Sequence, residues 1–245
     1  CSERFNPHDD LQAYFVFPEK LVQTGSMGEG PYSERRIVSL GGMSFLHALV
    51  LAVADARYLV VVDPGVSLLL AVALVPGLAR DARARPWAAA LGVLVLLAVP
   101  PPRVNVTSLA SGLALFLTLY RTLRLVCAGS RAGDRGTVLV ALVAAGICSL
   151  KSTFVPACAL LVAGAYLFEG LASRSPVAAL RRVALAGGLT LLLLAPWMLA
   201  LRQSSGTLLY PFLGRGFHGS AYGSSWEPRE TVTAASLGRA VAASV

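Results

Sequence analysis

Six apolar runs separated by short basic breaks limit what this chain can become. They lie at roughly 59–79, 87–100, 106–127, 136–150, 153–169 and 183–201. A helix needs about 20 apolar residues to cross a bilayer. Several of these runs are shorter, which suits tilted helices packed on one another better than helices standing alone in lipid. Hydrophobic residues make up 56% of the 245 residues and charged residues only 14%. Soluble domains carry about 25% charged residues. The expected fold class is therefore all-α: a polytopic transmembrane helical bundle with an outer-face amphipathic helix and loop.

Charge placement sets the expected topology. Lys and Arg outnumber Asp and Glu 21 to 13, and the only lysines are Lys20 and Lys151. Such a balance suggests nucleic acid in a soluble protein. Here the arginines gather in three breaks: Arg80, Arg83 and Arg85; Arg121, Arg124, Arg131 and Arg135; Arg174, Arg181 and Arg182. That is the positive-inside pattern, so the three are read as cytoplasmic loops and nucleic acid is not an expected partner. Residues 40–53 are apolar, too short to cross, and open with Gly41-Gly42. Read as re-entrant or interfacial, they leave the N-terminal segment, the Pro100-Pro101-Pro102 loop, Lys151 and the tail after Arg202 on the outer face. The expected divisions are 1–38, an outer-face loop with an acidic cluster and an interfacial helix; 39–201, the transmembrane bundle; and 202–245, a truncated outer-face loop. Cys1 stands where Met would begin a chain, and Ala-Ala-Ser-Val ends it in a helical composition. The chain is accordingly expected to be a piece of a longer one, lacking a first membrane helix and a C-terminal portion.

Within 1–38, the apolar positions Leu11, Tyr14, Phe15, Leu21 and Val22 recur at helical spacing. Pro18 is expected to kink that helix, which is expected to lie in the interface with its apolar face down. Just before it stands Asn6-Pro7-His8-Asp9-Asp10. Adjacent carboxylates repel, which raises one pKa and equips one of them as a general base. Asp9 and Asp10 are therefore candidate catalytic residues and a candidate ligand pair for a divalent metal. Asp10 equally fits a helix N-cap.

Arg35 and Arg36 fit bidentate capture of a phosphate or pyrophosphate, and equally a headgroup anchor. Lys151 falls in Leu150-Lys151-Ser152-Thr153, a tight turn between two apolar runs. A lone cation there either contacts a phosphate, aided by the two hydroxyls, or snorkels to water. Tyr210, Arg215 and His218, in a Gly- and Ser-rich tail, fit the lining of a sugar pocket. His47 reads as a structural histidine. The four cysteines show no CxxC or CxxH spacing and read as packing residues.

The order of these elements resembles the GT-C fold of polyprenyl-phosphate-sugar-dependent glycosyltransferases, the class of the protein O-mannosyltransferases and the lipid A aminoarabinose transferases. The likeness runs over roughly residues 6–201. It is carried by the acidic pair, the interfacial helix, the Gly-rich short helix, Arg80-Asp81-Ala82-Arg83-Ala84-Arg85, the run from Ser108 to Arg124, and the hairpin tip at Lys151. The family's acid opening the helix after the second outer loop has no counterpart; Ser108 and Ser111 stand there.

The resemblance implies transfer of a sugar from a polyprenyl-phosphate donor to a glycan or lipid acceptor. The transfer would take place on the outer face of the plasma (inner) membrane of a bacterium. Asp9 or Asp10 would act as base or metal-adjacent residue, and Lys151 as the hairpin lysine. No cofactor is required, with a divalent metal as an optional aid. A transporter or flippase component, or a polysaccharide polymerase or ligase of another fold, is the alternative.

Overall fold

The computed structural model describes residues 14–26, 39–98, 107–129, 133–210 and 212–214. These are all-helical, with no strand among the described residues. The helices are α1 (Val16–Thr24), α2 (Gly42–Leu51), α3 (Ala56–Asp81), α4 (Pro86–Ala98), α5 (Leu109–Ala128), α6 (Gly133–Leu150), α7 (Phe154–Ala172) and α8 (Pro176–Ser205). Four of them, α3, α5, α7 and α8, are long and apolar enough to cross a membrane. Large apolar side chains point outward along these helices, among them Leu69, Leu160, Phe168 and Leu192. Such a surface requires an apolar surrounding rather than water.

Helices α5 to α8 form the packed centre. Leu119, Leu123, Val140, Ile147, Cys158, Tyr166, Ala186 and Leu194 are buried together there. Helix α3 packs on α5, and α4 packs on α3 at the edge with none of its residues buried.

Cross-helix contacts sort the elements into two ends. At one end, Arg121 Nε donates to Asp81 Oδ2 at 2.7 Å, and an Arg124 nitrogen reaches the Asp81 carbonyl at 3.4 Å. Arg182 pairs with Glu169 at 2.8 Å, and Cys127 lies near the same Glu169. The ends of α3, α5 and α7 and the start of α8 therefore share one basic end. At the other end, a Cβ on Gly112 of α5 would meet the Phe154 ring of α7 at 2.6 Å, and a Cβ on Gly42 of α2 would strike Ser149 of α6. This is the end that carries Lys151.

Helix α2 begins on Ser149, and Asp63 in the first part of α3 hydrogen-bonds to the start of α5. The segment 42–63 thus starts and finishes at the Lys151 end without crossing the bundle. Its Gly pair has two separate causes. Gly41 adopts φ +85°, which a side chain disfavours, and Gly42 leaves room for Ser149.

The structure corrects three expectations. The kink expected at Pro18 is absent among the described residues. Pro18 is the third residue of α1, in the first turn, where its missing N–H breaks no bond. The buried side of α1 is Phe15, Phe17 and Pro18, packed toward α2 and the core, while Val22 is 47% exposed. Arg181 and Arg182 are not loop residues, because α8 starts at Pro176 with Pro in its first turn. Arg80, Arg121, Arg124 and Arg135 likewise lie within helices.

Candidate functional site

Of the candidate site residues named from the sequence, Lys151 and Tyr210 are described. Asp9, Asp10, Arg35, Arg36, Arg215 and His218 lie outside the described residues. Lys151 forms the tip of the α6–α7 hairpin, where its carbonyl accepts from the Phe154 amide at 3.0 Å. It is half-buried, and among the described residues no carboxylate pairs with it. Ser152 beside it is fully buried. Tyr210 follows α8 in a short turn in which the Thr207 hydroxyl donates to the Leu213 carbonyl at 3.1 Å. Leu209, next to Tyr210, packs into the same core as α6 and α7. Tyr210 and Lys151 are therefore at the same end of the bundle.

An apolar groove of about 290 Å³ leads to that end between α6, α7 and α8. It is lined by Leu40, Cys148, Val162, Thr190, Leu194 and Leu209, among others. On α8 the lining runs from Val183 to Met198. At 1.5 Å per residue that is about 22 Å along the helix. The groove exists because its walls are built from small residues: Ala159 and Ala163 on α7, Ala186 and Gly187 on α8. A Cβ added at Gly187 would touch nothing. A lining with so few polar atoms has nothing to hold a headgroup, and it matches a hydrocarbon chain.

Two more residues stand out: Asp63, which sequence reasoning did not select, and His47, which it read as structural. Asp63 is 4% exposed, in a wide turn that Pro64 enforces at the start of α3. Its Oδ1 accepts from the Ser111 amide at 2.7 Å and its Oδ2 from the Ala110 amide at 3.1 Å. These are the second and third amides of α5, the ones a helix leaves for its cap. Ser108, the local cap residue, makes no side-chain cap bond. Asp63 does this from another helix, and Ser67 reinforces it with a 2.8 Å hydroxyl bond to Ser111. Asp63 thus supplies from another helix the cap that Ser108 does not.

His47 is 1% exposed on α2, and its buried Nε2 has no hydrogen-bond partner among the described residues. Burial lowers its pKa to about 4, so the ring is neutral at pH 7. Both residues carried a sequence signal: an ionisable group inside an apolar run is by default worth a functional hypothesis.

Among the described residues no group of three or more His, Cys, Asp or Glu is placed to hold a metal ion. The metal pair considered in the sequence, Asp9 and Asp10, falls outside them. No family model, curated protein or solved structure matches this chain.

Proposed function

We propose that this chain is a multi-pass glycosyltransferase of the plasma (inner) membrane. In this reading it moves a sugar from a polyprenyl-phosphate donor to an acceptor hydroxyl on the outer face. The observation that carries the reading is the hydrocarbon-matched groove leading to the end where Lys151 sits, with no acidic partner among the described residues. A prenyl chain lies in the groove, and its phosphate reaches the ammonium group. The arginines of the opposite end mark the cytoplasmic side by the positive-inside rule, which turns Lys151 outward. Leu40, four residues after Arg36 in sequence, packs at the Lys151 end.

The chemistry follows from the residue types. Asp9 or Asp10 takes the proton of the acceptor hydroxyl as its oxygen attacks the anomeric carbon and the bond to the phosphate breaks. The product has inverted configuration. Lys151, Arg35 and Arg36 offset the charge left on the polyprenyl phosphate, and Tyr210 and His218 line the sugar. A preorganised cation aimed at a leaving phosphate typically contributes on the order of 10²-fold or more in rate.

The test uses two variants in native membranes, read by transfer of labelled sugar from a lipid-linked donor. Lys151→Ala and the double variant Asp9→Asn/Asp10→Asn are expected to insert normally and to lose about 10²-fold or more of transfer. Unchanged transfer in both removes the catalytic assignment.

One observation favours a transporter or flippase component instead. Asp63 is a buried acid in an irregular helix, as carriers often have. Both its oxygens, however, already accept amide hydrogens from α5. Flux of a labelled lipid-linked sugar across vesicles, with no transfer of the sugar, would establish that second reading.

A further inference from the structure

We propose that Cys148 and Cys158 form a reversible disulfide that staples the α6–α7 hairpin beneath Lys151. The two residues are ten apart in sequence, a spacing that resembles no redox or metal motif. The hairpin brings them together. Cys148 lies in the last turn of α6 and Cys158 in the second turn of α7. Their thiols lie close enough to influence one another. Cys158 Sγ also reaches the Ala144 carbonyl at 3.9 Å, one turn before Cys148 on the same face of α6.

Both side chains are buried, yet both line the apolar groove. Water-borne oxidants have poor access to such a pair. An oxidant dissolved in the hydrocarbon reaches it along the groove. The fitting class is a lipid-soluble quinone. Two S–H bonds break and one S–S bond forms. The two electrons and two protons pass to the quinone, which leaves as the hydroquinone. A dithiol reductant restores both thiols by exchange.

The bond fixes the two Cβ atoms about 3.8 Å apart and so sets the spacing of the helices that present Lys151. That consequence for activity rests on the transferase reading. The bond itself does not.

The test uses the full chain in membranes with Cys1→Ala and Cys127→Ala, so that only this pair remains. Duroquinone serves as oxidant, because its fully substituted ring does not alkylate thiols. After denaturation, free thiols are counted by maleimide–polyethylene glycol adducts. The expected result is a fall from two adducts to none, reversed by dithiothreitol. A further Cys148→Ala or Cys158→Ala change leaves one adduct that the quinone does not remove. Two adducts persisting under oxidant overturn the proposal, as does a disulfide-linked dimer in place of the internal bond. Sugar transfer measured on the same membranes reports on the transferase reading separately.

Discussion

The two ends of the helix bundle handle polar groups in opposite ways. At the basic end, Asp81 with Arg121 and Glu169 with Arg182 meet at side-chain exposures of 25% to 38%. Their charges face water, and losing one partner leaves the other solvated. At the Lys151 end, Asp63 and His47 are buried to within a few per cent. A polar group placed there is held by a specific partner or it destabilises the fold. The same kind of residue therefore has small leverage at one end and large leverage at the other. Position decides this, because the difference lies in whether water can replace a lost partner.

The comparison is broken most directly at Asp63. Changing Asp63→Ala strips the second and third amides of α5 of their acceptors inside the protein. Each buried amide left without an acceptor costs about 1–3 kcal/mol, and here there are two, well above what a surface pair costs. Asp63→Asn keeps one carbonyl acceptor and is expected to lose less. Denaturant unfolding in detergent micelles, followed by circular dichroism, reads both. An Asp63→Ala chain with an unchanged midpoint would show that the buried end tolerates orphaned amides, and the contrast drawn above would fall.

His47 sharpens the same contrast through pH. Its folded pKa is about 4, below the unfolded value of 6.5. Between those values the unfolded chain binds the extra proton and the folded chain does not, so stability rises with pH. The contribution is complete above pH 6.5 and is lost as pH falls toward 4. A separation of this size corresponds to about 3 kcal/mol. His47→Phe removes the titrating group and should flatten that part of the stability profile. Identical profiles for the two chains between pH 4 and 6.5 would mean that His47 finds water or a partner when protonated.

Most of the helical layout could be read from the apolar runs, because long apolar helices write their length directly into hydropathy. The start of α8 could not. Arg181 and Arg182 look like a loop to hydropathy, although Arg is a good helix former and Ser175-Pro176 is a helix-start pattern. The role of Asp63 was hidden for a different reason. Its partners lie 47 and 48 positions further along the chain, and no local pattern records such a bond. The groove was equally invisible, since it is missing volume shared among α6, α7 and α8. The two cysteines illustrate the same limit. Each alone is a packing residue, and only the hairpin makes them a pair. For the candidate site, sequence placed Lys151 at a hairpin tip, where the structure also puts it. The acidic pair, Arg35, Arg36 and His218 lie outside what the structure describes.

The smallest effect expected is at the basic end, and it tests the other half of the comparison. In the Glu169–Arg182 pair a single guanidinium nitrogen, Nη1, contacts both carboxylate oxygens at 2.8 Å. This is not the two-nitrogen fork that makes Arg–carboxylate pairs strong. Both side chains are also more than a quarter exposed. Screening at 0.15 M salt acts over about 8 Å, so solvent ions weaken such a pair. Arg182→Gln keeps the side-chain stem against α7 and removes the charge. It is expected to lower stability by about 0.5–1 kcal/mol at low salt and by less at high salt. Arg121→Gln, which unpairs Asp81, should behave the same way. The salt dependence carries more weight than the size of either loss. A loss that is several-fold larger and indifferent to salt would place these ion pairs in an environment as dry as that of Asp63. The two ends would then differ in the sign of their charge and in nothing else.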